Sequence, residues 1–114
     1  MLNITLMYAS EKFSTAVGAM ASSTDSLKTR LARAWIEDIS MILMNDVTNL
    51  PEDIQAKLSE LSKKLHAGEA EAAGQDINSL VDALDEGQVR DAIDDVVSLN
   101  SAIAAAHALG GPNS

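Results

Sequence analysis

The side chains able to do chemistry in this 114-residue chain are few, and their spacing restricts what they could do. Its two histidines, His66 and His107, sit in neither His-Glu-x-x-His nor Glu-x-x-His, so the helical zinc and di-iron spacings are missing. The acids Glu37-Asp38, Glu52-Asp53 and Asp94-Asp95 are adjacent pairs. Neighbours on a helix diverge by about 100°, so such pairs are poorly placed to share a proton or a metal. No serine lies in Gly-x-Ser-x-Gly, and no glycine-rich phosphate loop is present. There is no cysteine, which removes thiolate catalysis, disulfides and cysteine-based metal sites together. We therefore expect no catalytic residue, metal site or cofactor.

Three polar residues stand apart because their helical phase points inward. Asp38 falls in an apolar arc, between Leu27 and Leu31 on one side and Trp35 on the other. A carboxylate buried there needs a cation from another helix or a capped backbone end. Asn100 and His107, seven residues apart, share a helical face with Val89, Val96 and Ile103. If Asp38, Asn100 and His107 converged on one cavity, they would form the polar pocket of an enzyme. The simpler expectation is that each is satisfied locally.

The elements that would position these groups are helical. Aromatic residues are 3% of the chain (Tyr8, Phe13 and Trp35), so the core must be built of Leu, Ile, Val, Ala and Met. Breaks at Ser22-Ser23-Thr24, Asn49-Leu50-Pro51, Gly68 to Gly74 and Gly110-Gly111-Pro112 cut the chain into four or five pieces. The first helix is predicted over about 10–21, capped by Ser10, with Phe13, Ala16, Val17, Met20 and Ala21 on one face. Before it, Leu2, Ile4, Leu6 and Tyr8 alternate, which reads as an extended lead-in or an earlier helix start.

The second helix is predicted over about 25–46, with Ser23 or Thr24 as its cap. Its apolar arc includes Leu31, Trp35, Ile36, Ile39, Met41 and Ile42 and covers more than half the circumference. Arg30, Arg33, Glu37, Ser40 and Met44 fall on the remaining strip. A helix this apolar is central to a bundle or feeds an interface, and Trp35 is its best core residue.

The third helix opens at Leu50-Pro51-Glu52-Asp53, with proline at the turn where its missing N–H is harmless and acids at the positive end of the dipole. Ile54, Leu58, Leu61 and Leu65 form its stripe, and Gly68 ends it. A short helix over about 76–84 turns Ile77, Leu80, Val81 and Leu84 inward. The last begins at Asp85-Glu86-Gly87-Gln88, a capping-box pattern, and carries Val89, Ala92, Ile93, Val96, Leu99, Ile103 and Ala106 inward. Short loops favour antiparallel neighbours. The expected fold is an all-α, up-and-down antiparallel bundle of four to five helices, one domain over 1–109 with a tail at 110–114.

The order Leu27, Arg30-Leu31, Ala34-Trp35, then Leu50-Pro51-Glu52-Asp53-Ile54 with Leu58 and Leu61, then Leu84-Asp85-Glu86, Ala92-Ile93 and Val96-Val97-Ser98-Leu99 resembles small uncharacterised all-helical proteins of bacteria. The resemblance spans roughly residues 10–105. It implies the helical bundle and carries no activity, cofactor or site residue.

Charge narrows the choice of partner. The formal net charge is −9, and it is uneven. Residues 1–66 hold seven basic and eight acidic side chains, whereas residues 67–114 hold Arg90 against nine acids. Such a chain is repelled by nucleic-acid phosphates and anionic lipid, so neither nucleic acid nor membrane is an expected partner. The N-terminus lacks the basic start of a signal peptide, no apolar run is long enough for a membrane span, and cysteine is absent; the expected location is the cytoplasm.

The leading functional expectation is a non-enzymatic interaction protein, an adaptor, regulator or assembly component, contacting a protein partner or itself as a homodimer. Its candidate interface residues are Trp35, Met41 and Met44 on the second helix and Asp91, Asp94 and Asp95 on the last. Met44 is the informative one, because a core has no use for a methionine on a polar strip. Two alternatives come from other classes: an acidic inhibitor or nucleic-acid mimic that docks on a basic partner, and the enzyme with a pocket near Asp38, Asn100 and His107.

Overall fold

Helix α1 begins where Thr5 can close its first turn. The Thr5 hydroxyl accepts the Tyr8 N–H at 3.1 Å and its carbonyl accepts the Ala9 N–H at 2.9 Å. The helix therefore runs Leu6–Ser22, and Ser10, expected as the cap, lies inside it. The earlier start has a packing cause: Leu6 and Ala9 join Phe13, Ala16 and Met20 on the buried face, while Ala21 is left exposed.

The computed structural model describes residues 3–22, 24–65 and 77–109, with the backbone alone at 77–79. His66, Gly68, the tail at 110–114 and the inward placement expected of Ile77 lie outside what is described. The remaining helices are α2 (Leu27–Ala34), a π-helical turn (Trp35–Ile39), α3 (Ser40–Leu43), α4 (Glu52–Leu65), α5 (Ile77–Ala83) and α6 (Glu86–Ala108). The second helix is capped by Ser26, whose side chain accepts the Thr29 N–H, rather than by Ser23 or Thr24. No strand occurs among the described residues; an isolated parallel bridge joins Asn3 to Asp46, with the Ile4 N–H donating to the Asp46 carbonyl at 2.8 Å.

Helix α1 packs against α6, α2 and the π-turn, and α4 packs against α6. The contacts fix two antiparallel pairs. Ile4 meets Asp46 and Lys12 meets Asp38, so α1 runs opposite to the α2–α3 rod. Lys64, near the end of α4, reaches Asp91 and Asp95 near the start of α6, so these two helices are also opposed. The core is the predicted aliphatic one: Phe13, Leu31, Trp35, Ile39, Ile42, Ile54, Leu58, Leu61, Leu65, Val96, Leu99 and Ile103 are all buried. The chain is thus an all-α bundle.

The capping box of α6 forms as read. Asp85 Oδ1 accepts the Gln88 N–H at 2.7 Å, and Gln88 Oε1 accepts the Asp85 N–H at 2.9 Å. Asp85→Ala leaves one first-turn donor without its partner and should lower stability by about 1 kcal/mol. Urea unfolding checks this; an unchanged midpoint would show that α6 is held by its packing alone.

Candidate functional site

The π-turn, unpredicted by a regular helical period, decides where the polar and exposed residues of the second helix lie. Its backbone signature is the Ser40 N–H bonding the carbonyl of Trp35, five residues back rather than four. One extra residue is absorbed, so everything beyond it sits about 100° further back around the axis than in a regular helix. Asp38 would otherwise stand in the middle of the apolar arc. The extra residue moves it to the edge, where α1 presents Lys12.

There Asp38 is 5% exposed, with its Oδ1 3.9 Å from Lys12 Nζ. Lys12 also lies over the Tyr8 ring, 5.8 Å from its centre. Burial pushes the Asp38 carboxyl above the ordinary carboxylate range; Lys12 opposes this, and neighbouring Glu37 reinforces it. The folded chain therefore holds this proton more tightly than the unfolded chain does. Asp38 adds stability as pH falls toward the ordinary carboxylate value and costs stability above its raised value.

Asp38→Asn should thus be more stable than the parent at pH 7 and should gain less on acidification through the ordinary carboxylate range. Urea unfolding at pH 7 and within that range tests it, with Asp94→Asn as the control for loss of one surface charge. A destabilised Asp38→Asn at pH 7 would mean that the Lys12 contact outweighs desolvation.

The candidate polar residues do not converge. Asn100 accepts a hydrogen bond from the Ser14 hydroxyl at 3.2 Å. Lys12 and Ser14 are about 200° apart around α1, so Asp38 and Asn100 flank opposite sides of that helix. His107 shares Asn100's face of α6; its Nδ1 is buried, and no hydrogen-bond partner reaches it among the described residues. Among those residues no group of three or more His, Asp or Glu side chains is placed to hold a metal ion.

The acidic residues are partly occupied within the chain. Lys64 Nζ lies 2.9 Å from Asp91 and 2.6 Å from Asp95, and this shared contact raises the Lys64 pKa well above the ordinary lysine range. The fork closes one end of a groove of about 320 Å³ lined by Ala56, Lys57, Glu60, Ser98 and Leu99. Glu86 pairs with Arg90 at 2.9 Å, and Asp85 is spent on its cap. Of the three acids proposed as interface, Asp94 alone has no ion-pair partner among the described residues.

The second helix is different. Trp35, expected both as core and as candidate interface, is 2% exposed and belongs to the core. Ile36, Met41 and Met44 are 46%, 41% and 74% exposed. In a regular helix Met41 would stand about 140° from Ile36; with the extra residue the two are about 40° apart, and Met44 about 20° to the other side. The three read as i, i+4 and i+7 on one strip, which Arg33 and Thr29 extend toward the helix start. Between Thr29, Arg33, Ile36 and Glu37 lies a depression of about 240 Å³. Met41 was expected in the apolar arc and Ile36 beside it; the π-turn is what gathers them with Met44 on the surface.

No helix among the described residues is long and apolar enough to cross a membrane. No family model, curated protein or solved structure matches this chain.

Proposed function

We propose that this protein is a non-enzymatic helical interaction protein whose contact surface is the strip Ile36, Met41 and Met44. The observation that carries this reading is three large apolar side chains, each at least 41% exposed, aligned on one helix whose opposite side fills the core. Exposed apolar side chains are ordinary when scattered singly. A run of them along one helix is the pattern by which helices dock into partners. Methionine suits such a surface because its flexible thioether adapts to irregular shapes. The separation of Asp38 from Asn100 and His107 supports the non-enzymatic reading. We place the protein in the cytoplasm on its cysteine-free composition.

A photo-crosslinking side chain at Met44 tests this in living cells of the source organism, with Asp53 on the outer face of α4 as the control position. The reading expects discrete adducts from Met44 and none from Asp53. The same adduct pattern at both positions, or none at either, would contradict it.

A further inference from the structure

We propose that the strip docks on the same strip of a second copy of this chain, the two α2–α3 rods lying antiparallel about a two-fold axis near Ser40. This inference rests on the reading above and specifies the partner.

Charge selects the surface. A chain of net charge −9 resists meeting itself, and residues 67–114, with nine acids and one base, resist most. The stretch from Asp25 to Asp46 carries three bases (Lys28, Arg30 and Arg33) against Asp25, Glu37 and Asp46, and Asp38 is buried toward Lys12, so its exposed charges balance. Two copies can approach there without a like-charge penalty.

Order along the strip selects the direction. It begins with Arg33, half-exposed and paired on its own chain with Asp25 at 3.3 Å, continues through Ile36, Met41 and Met44, and ends at the C-terminus of α3 and Asp46. Parallel rods would set Arg33 against Arg33. Antiparallel rods bring Arg33 of one copy to the end of the other copy's α3, where the helix dipole is negative and Asp46 follows. They also bring Met44, the most exposed residue of the strip, level with the other copy's depression between Thr29, Arg33, Ile36 and Glu37. Each copy gives one projecting methionine and receives one, as a closed two-fold interface requires.

The chain has no cysteine, so one introduced thiol reports the geometry without interference. Light scattering gives the mass of the parent chain, of Met44→Glu and of Met44→Lys. Oxidation then compares Ser40→Cys with Val97→Cys, an exposed position on α6. We expect a dimer that both Met44 substitutions weaken at least tenfold, and a disulfide that forms at least tenfold faster through Ser40→Cys. Circular dichroism confirms that each variant stays folded, as expected at exposed Met44 and Val97 and at half-buried Ser40.

A dimer weakened at Met44 but not cross-linked through Ser40→Cys overturns the antiparallel pairing and leaves the strip as the contact surface. A dimer indifferent to both Met44 substitutions overturns pairing and strip together. A parent chain that stays monomeric up to about 100 μM overturns self-docking, while the in-cell adducts from Met44 still decide the strip.

Discussion

Deleting Glu37 should leave this protein folded and nearly as stable as the parent, whereas deleting Lys57 should unfold it. Both residues are exposed and both lie within helices, so composition alone predicts similar damage. The difference comes from register. Glu37 is in the turn that already holds one residue too many. Without it, the Ser40 N–H bonds the Trp35 carbonyl four residues back, as in an ordinary helix. Leu31, Trp35, Ile39 and Ile42 keep their places in the core, and Asp38 stays beside Lys12.

Deleting Lys57 turns the rest of α4 by about 100°. Leu58, Leu61 and Leu65, all buried, leave the core together. Burying a leucine is worth about 2–5 kcal/mol by truncation, and three such losses approach or exceed the roughly 5–15 kcal/mol that holds a domain together. Far-ultraviolet circular dichroism and thermal melting compare the two deletions directly. Equal damage from both would mean that the π-turn is not where the extra residue is accommodated.

Phe13→Ala should cost about 3–5 kcal/mol. Phe13 is fully buried on α1, the helix that touches α6, α2 and the π-turn. The cavity is shared by every neighbour of α1, and Leu, Ile and Ala side chains on rigid helices close it only partly. A fall in melting temperature of roughly 12–20 °C is the expected reading. A fall of only a few degrees would mean that the helices around α1 can collapse into the space.

The period of each segment decides how much of its structure is legible in the sequence. Helix α4 was read nearly residue by residue, because Ile54, Leu58, Leu61 and Leu65 keep a strict helical spacing and Pro51 marks the start. The α6 capping box was read for the same reason, since its signal lies in four consecutive residues. Caps without such a box were misplaced: Ser10, Ser23 and Thr24 were as good by type as Thr5 and Ser26, and packing of Leu6 and Leu31 chose between them.

The strip was half visible. Met44 stands out on a polar side and Met41 is among the candidate interface residues, yet a helix assumed regular puts Ile36 and Met41 in the apolar arc, because it gives the wrong phase beyond Trp35. A clue was present in Asp38. An acid in the centre of an apolar arc is a conflict between local pattern and fold, and the backbone resolves it by adding a residue to the turn. The ion pairs of Lys64 with Asp91 and Asp95 depend on how α4 and α6 meet, which no local pattern contains.

If Ile36, Met41 and Met44 form the surface through which this protein makes contact, that surface responds to concentration. Backbone amide resonances followed over a dilution series, from about 1 mM to 10 μM, test it residue by residue. Concentration-dependent shifts are expected in residues 29–46 alone, with α4 and the outer face of α6 unmoved. Shifts centred on Asp94 and Val97 would contradict it, and the absence of shifts at any concentration would remove self-docking.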